Sequence, residues 1–433
     1  MHILRKLPLW LTVGLLVYMP FHIFLSQSLS LVTGGLNQWK IAKDILLLAG
    51  LVLTAVLLLV TGRYKKDKQY GTFLLLAFFY GLMHLITWRI NANIDTSGAL
   101  LATAYNSRLA GFALLAWGSI IIYPGKINIK KIFVLVVAVS TVVSVIGILQ
   151  LLLPKDILTH FGYSLDRGVR PNFFIDDKPD LPRIFSTLRD PNSLGAYLIL
   201  PITLLSVAWA KLPKQRSLIA GLLLFNFWAL FLTFSRSAWA GTILSICLAF
   251  GLIYKDSLKT IVKKYWRFGL VAIVAISIFI YAMRDQYAVQ NIVFHSDENT
   301  QMADSNNLHV RYAKEGVEGI MEKPLRHGPG TAGLVSIHSK KEVVLTENYF
   351  IQIGYEVGLI GLGIFIWIIA FILIRLYSIK TILSAIQFSA FFGISLCALL
   401  LLTWSNEAVA ATWWLLAGLL VGCRQGTLRK NLL

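Results

Sequence analysis

The sequence predicts an all-α integral membrane protein with about 12 transmembrane helices and a long extracytoplasmic loop, about 284–349, that carries an amphipathic helix. Three observations predict it. Apolar residues make up 57% of the 433-residue chain and charged ones 14%, and mean hydropathy is +0.69, which leaves no room for a large extramembrane domain. Apolar stretches of spanning length recur from one end of the chain to the other. Basic residues gather in every second connection between them. The organisation expected is therefore a single polytopic domain, 1–433, with a first outer loop at 155–191 and a large outer loop at 284–349 where chemistry is expected.

In order, the spans fall at roughly 8–26, 41–61, 72–90, 99–123, 132–154, 192–211, 217–234, 237–254, 267–283, 350–374, 385–403 and 407–422. About twenty helical residues at ~1.5 Å rise cross about 30 Å of hydrocarbon, so each is long enough. An even number places both termini on one side. Arg5 and Lys6, Arg63 to Lys68, Lys126 to Lys131, Lys211 to Arg216, Lys255 to Lys264, Arg375 and Lys380, and Arg424 to Lys430 make that side cytoplasmic. The tight hairpins at 212–216 and 235–236 are the least marked turns, yet losing either flanking span would break the alternation of charge. The first span has a basic start, but Phe24-Leu25-Ser26-Gln27-Ser28 offers no small-residue cleavage site, so it reads as an uncleaved anchor.

Topology also accounts for the net charge of +19: the basic residues lie in short loops with few aromatic partners, which argues against nucleic acid. Cys247, Cys397 and Cys423 fall within or beside apolar spans and imply neither a disulfide framework nor a metal cluster. No repeat of 20 to 50 residues is present.

The first outer loop ends in Arg183-Ile184-Phe185-Ser186-Thr187-Leu188-Arg189-Asp190-Pro191-Asn192-Ser193, where Pro191 and Asn192 suit a helix start, so two guanidinium groups stand at the membrane surface. Arg236 arrives there separately, in the hairpin Phe234-Ser235-Arg236-Ser237. It is either an interfacial anchor beside Trp239 or an anion ligand, a role for which a planar guanidinium is suited. In the large loop, Val310, Ala313, Val317, Ile320 and Met321 recur at helical spacing, with Arg311, Lys314, Glu315, Glu318 and Glu322 on other faces. Arg311 either serves a ligand or pairs with Glu315. His327-Gly328-Pro329-Gly330 reads as a tight turn that allows backbone to approach a ligand closely. Glu347-Asn348 then opens a helix on which Asn348, Gln352 and Glu356 form a polar stripe, while Gly354, Gly358 and Gly361 form a flat packing face. Glu356, about two turns into the membrane, is either functional or paired.

Arg183 through Asn192, the Ser235-Arg236-Ser237 hairpin, Arg311, Gly328-Pro329-Gly330, and Asn348 followed by Gly358-x-x-Gly361 occur in an order that resembles the O-antigen ligase and Wzy-type O-antigen polymerase superfamily of bacterial membrane glycosyltransferases, over roughly residues 130 to 420. The resemblance implies a multi-pass protein of the plasma (inner) membrane with its active site on the outer face. It implies transfer of an undecaprenyl-diphosphate-linked glycan to a sugar hydroxyl of a lipid-linked repeat unit or lipid A-core, among membrane lipids and with no essential metal or cofactor. By the same resemblance Glu347, Arg236 and Arg311 are the expected catalytic residues, with Arg183, Arg189, Asn192, Ser235, Gly328, Gly330 and Asn348 expected to bind substrate; Glu356 and Arg108 join the candidate substrate-binding set as charges inside spans. The ligase branch carries His where this chain has Glu347. A carboxylate can be the base if its pKa is tuned, and the departure favours a polymerase over a lipid A-core ligase; alternatively Glu347 only caps the helix, and His338 is either a substitute base or an incidental loop histidine.

Arg108 lies about nine residues inside its span, roughly 14 Å from the end at helical rise, and Asp44 and Glu407 are its candidate counterions. It belongs either to a structural pair or to a substrate groove. A transporter or flippase of a lipid-linked glycan is the alternative reading, but the halves of the chain lack the symmetry such folds show.

Overall fold

The computed structural model describes residues 3–423 apart from 92–94, 125–126, 176–177, most of 257–304, 326, 334–335, 337–343 and 345. It is a bundle of apolar helices: α1 (Leu7–Tyr18), α2 (His22–Thr33), α3 (Leu36–Val60), α4 (Lys68–Ile90), α5 (Thr96–Ile122), α6 (Ile129–Leu149), α7 (Pro191–Lys211), α8 (Arg216–Leu232), α9 (Arg236–Ile253), α10 (Ser305–Glu322), α11 (Tyr349–Ile379), α12 (Ile382–Ala398) and α13 (Glu407–Gly422). Their starts are written in the sequence as caps. Asp67, Asn128, Asp190, Asn348, Thr381 and Asn406 each accept backbone amides at the head of α4, α6, α7, α11, α12 and α13. Asp67 also accepts from Trp117 Nε1 at 2.8 Å, which ties the start of α4 to the end of α5.

Among the described residues, eight helices are long and apolar enough to cross a membrane: Leu4–Thr33, Leu36–Val60, Lys68–Ile90, Ile129–Leu149, Pro191–Lys211, Pro213–Leu232, Arg236–Ile253 and Tyr349–Ile379. The protein is thus a multi-pass, all-α membrane protein. Helices α12 and α13 are shorter apolar helices, and α5 stands at another expected span but is interrupted by Asn106, Ser107 and Arg108. The expected span at 267–283 lies mostly outside the described residues. The first span is jointed, with Pro20 in a 3-10 turn between α1 and α2.

Burial explains the arrangement. From Arg108 onward α5 is buried on every side, as is α13 after Glu407, and the two pack together at the centre of the bundle. Outer helices instead display Leu48, Leu59, Phe78, Leu224 and Ile243, apolar side chains of the kind that face lipid. Beside the central pair, Phe391 of α12 lies 5.3 Å from Trp404 and 5.1 Å from Trp413 between ring centroids. Gln387 donates to Trp413 O at 2.7 Å and Trp413 Nε1 donates to Gln387 O at 2.9 Å, so two polar side chains satisfy each other's backbone in the dry interior.

Three features were not expected. The loop between α6 and α7, expected as the first outer loop, contains a short antiparallel pair, β1 (Phe174–Ile175) and β2 (Lys178–Pro182), over a small core of Leu158, Tyr163, Val169 and Phe185. Its Arg167 donates to Gln27 Oε1 at 2.9 Å and Gln27 O at 3.0 Å, stapling the loop to α2. In α10 only part of the expected apolar face packs: Ile320 is buried against Gly354 of α11 while Val317 and Met321 are exposed, and Gly316 and Gly319 lie against Ile351 and Tyr355 of α11. Bare glycines allow the closer approach. Lastly, the glycines of α11 are not one flat face, because the helix breaks at Gly358, with φ 73° and ψ 178°. Leu359 N donates to Pro324 O at 2.9 Å and Gly328 N to Glu356 O at 2.9 Å, so the chain after α10 takes up backbone groups at the break.

Candidate active site at one end of the bundle

A cavity of about 240 Å³ opens at the end of the bundle where residues 155–190 lie, between the start of α7 and the corner joining α12 to α13. Arg189, Asp190, Asn192, Ser193, Thr403, Ser405, Asn406 and Glu407 line its polar part. Both α7 and α13 begin at this wall, so the positive ends of two helices face it. Asp190 is not a loose carboxylate there: it accepts from Ser193 N and Ser193 Oγ, both at 2.8 Å, as the N-cap of α7.

Glu407 connects the cavity to a buried charge cluster. Its Oε1 accepts from Tyr105 OH at 2.9 Å and lies 3.6 Å from Lys43 Nζ and 3.7 Å from Arg108 Nη1. Asp44 is 3.1 Å from Lys43 and 4.0 Å from Arg108. The Arg108 guanidinium also stacks 3.8 Å over the Tyr105 ring and donates to Ser405 O. Two cations thus meet two carboxylates, and both expected counterions of Arg108 are present. Arg108 is thus charge-paired, and its partner Glu407 lines the cavity.

The expected arginines separate into three situations. Arg189 lines the cavity. Arg183 braces it, donating from Nε to Thr233 O at 2.9 Å and from Nη2 to Asn192 Oδ1 at 3.1 Å, which joins the first outer loop, the start of α7 and the Ser235 hairpin. In that hairpin Phe234 takes φ 50°, Ser235 N donates to Thr233 Oγ1 at 3.2 Å, and Arg236 opens α9. Arg311 differs: it is exposed on α10, donates from Nε to Glu315 Oε1 at 2.8 Å, and no described contact brings it to the cavity.

Asn348 is joined to the corner between α12 and α13, and Glu347 precedes it in the chain. Asn348 Oδ1 accepts from Phe350 N at 2.9 Å and Ile351 N at 3.1 Å, and its Nδ2 donates to Leu399 O at 2.9 Å, two residues before Leu401 of the cavity lining. Helix capping therefore falls to Asn348, and Asn348 is occupied by it. Glu347, at φ 45°, is turned out of the helix path just before it. His338 lies outside the described residues.

The Gly328-Pro329-Gly330 turn does make a close backbone approach, but to the protein's own Glu356. Oε1 of that wholly buried carboxylate accepts from Gly330 N at 3.0 Å and Ala332 N at 3.4 Å, and Oε2 accepts from Asn106 Nδ2 at 2.7 Å. Asn106 Nδ2 is also 3.1 Å from His84 Nε2, and His84 Nδ1 donates to Tyr80 O at 2.9 Å. Gly328, Gly330 and Glu356 are therefore tied to one another. Ahead of the turn, His327 stacks on Tyr355 with ring centroids 3.8 Å apart, and burial together with nearby Lys323 holds its pKa below the usual histidine value.

Lys43, Tyr105, His84 and Asn106 were missed in the sequence. Each is a polar side chain inside an apolar span, and that was the only signal they offered. Residues 219–366, from α8 into α11, match the family described as O-Antigen ligase. Over 309 residues, 70% of this chain and 75% of the other protein, the chain is 24% identical to an O-antigen polymerase of Salmonella muenchen. No solved structure gives a match.

Proposed function

We propose, on the resemblance to the O-antigen ligase and Wzy-type polymerase superfamily that the family match and the Salmonella muenchen relative both support, that this protein transfers a lipid-diphosphate-linked oligosaccharide to a sugar hydroxyl during surface polysaccharide assembly. The protein would act in the inner membrane, with the cavity facing outward and both termini cytoplasmic, as a polymerase in preference to a lipid A-core ligase. The observation that carries the reading is Arg189 at a cavity where α7 and α13 begin, whose two carboxylates are already engaged, Asp190 as the cap of α7 and Glu407 with Lys43 and Arg108. Breaking the glycosyl–oxygen bond leaves negative charge on the departing lipid diphosphate, and fixed positive groups at that point lower the barrier. Arg189 supplies a bidentate fork. Arg236, which opens α9 just after the hairpin that Arg183 joins to Asn192, would add a second. Glu347 accepts the proton that the acceptor hydroxyl gives up as its oxygen attacks the sugar.

The test uses the purified full chain in nanodiscs with undecaprenyl-diphosphate-linked glycan. Arg189→Ala should lower transfer by about 10²-fold to 10³-fold at an unchanged melting temperature. Arg189→Lys should recover little of it, because an ammonium cannot copy the fork. Glu347→Gln should cost about 10²-fold and Glu347→His restore part, and activity should survive EDTA. Near-normal transfer by Arg189→Ala would remove the cavity from the mechanism, and near-normal transfer by Glu347→Gln would remove the base.

A further inference from the structure

A second cavity, of about 340 Å³, lies at the opposite end of the bundle, where α7, α9 and α11 end and α12 begins. We propose that it binds the phosphodiester headgroup of an anionic membrane phospholipid. Lys211, Lys255 and Lys380 reach it from three separate elements, and no acidic side chain is among the described residues lining it. The side chain of Lys211 is held in place by the Tyr254 ring, 4.3 Å from its Nζ. Three ammonium groups around one space repel each other unless an anion sits between them. The head of α12 adds donors: its capping box engages the amides of Thr381 and Ser384 and leaves those of Ile382 and Leu383 between them at a positive helix end.

Lys380 is the unexpected residue. Its φ of 54° is a conformation that glycine adopts readily and a lysine only at a cost, at a turn that brings the head of α12 to the cavity. A topological signal explains why lysines lie on this side, but not why three of them share a cavity with a strained backbone. Phospholipid is favoured over a soluble anion because the remaining wall is apolar, formed by Leu252, Leu376 and Phe388. Tyr377 lines the cavity while 61% exposed, and Ile374, one turn deeper on α11, is 67% exposed toward where acyl chains run. The volume falls within the roughly 300–1,000 Å³ of small-molecule sites.

The probe is palmitoyl-oleoyl phosphatidylglycerol, compared with phosphatidylcholine of the same chains and with inorganic phosphate, added to the detergent-purified full chain. Native mass spectrometry reads retained lipid and thermal melting reads stabilisation. Phosphatidylglycerol should be retained preferentially and raise the melting temperature. The preference should fall by about fivefold for each lysine removed, from roughly 1 kcal/mol per basic residue, so Lys211→Gln combined with Lys380→Gln should nearly abolish it. Lys65→Gln with Lys66→Gln, at the same end but outside the cavity, should leave it intact. Lys380→Gly separates binding from folding: it relieves the backbone and should melt no lower without lipid, yet lose its share of the preference. Equal retention of phosphatidylcholine, an unchanged preference in the double variant, or full stabilisation by inorganic phosphate alone would overturn the assignment.

Discussion

At Glu356 the chemistry of one side chain dictates its neighbours. His84 donates from Nδ1 to a carbonyl, so its Nε2 is an acceptor, and Asn106 Nδ2 spends one hydrogen there and the other on Glu356 Oε2. Gly330 N and Ala332 N supply donors to the other oxygen, so every partner of this carboxyl is a donor. Glu356→Gln would set an amide N–H₂ against either Asn106 or the loop, and turning Asn106 over would aim its oxygen at the His84 lone pair. We expect a loss of about 1–3 kcal/mol, read by thermal melting, with faster hydrogen exchange at 328–332; wild-type stability in the Gln variant would show the network is not needed. Glu356→Ala, which leaves three donors unsatisfied, should lose more. The sequence marked Glu356 as functional or paired because a carboxyl two turns into a span demands a reason. It could not show the partner, since Asn106 is 250 residues away and a Gly-Pro-Gly turn reads alike whether it faces a substrate or a side chain of its own chain.

At the scale of elements, helix existence was legible and helix use was not. Apolar length and capping residues are local, and the expected spans at 350–374 and 192–211 correspond to α11 and α7. The break in α11 is set by a distant segment, because Gly358 is open to Pro324 and Leu325 only once α10 has docked. A Cβ at Gly358 would stand 2.8 Å from Pro324 O and 2.9 Å from Leu325 C, in a backbone already at φ 73°. Gly358→Ala should therefore destabilise the protein by at least about 1–2 kcal/mol and raise protease sensitivity between 323 and 333. Gly363→Ala, with nothing within 4 Å of its added methyl, should be neutral or gain about 0.5–1 kcal/mol. Equal behaviour of the two variants would mean that the break does not hold the loop. The face of α10 was legible only in part for the same reason: periodicity picks out Ile320, which packs, but the surface it shares with Gly316 and Gly319 includes residues that periodicity ignores.

Over the whole molecule the two ends differ in chemistry. One carries the first outer loop, α10, the buried cluster of Lys43, Asp44, Arg108 and Glu407, and the Arg189 cavity; the other carries Lys65, Lys66, Lys211, Lys214, Lys255 and Lys380. Basic loops report the side without any knowledge of packing, because each lysine contributes separately. The cavity is different: Arg189 and Glu407 are 218 positions apart in the sequence, and only the docking of α7 beside α13 gives them a common wall. The proposed transfer requires the cavity end to face outward, where the lipid-linked acceptor chain grows. Two exposed positions decide this in a cysteine-free background: Leu165, in the first outer loop and 70% exposed, and Lys214, in the turn between α7 and α8. An impermeant maleimide should label Leu165→Cys in intact spheroplasts and Lys214→Cys only after permeabilisation. The reverse pattern would place Arg189 and Glu347 in the cytoplasm, out of reach of a glycan assembled outside, and the proposed function would fail even if both residues proved essential.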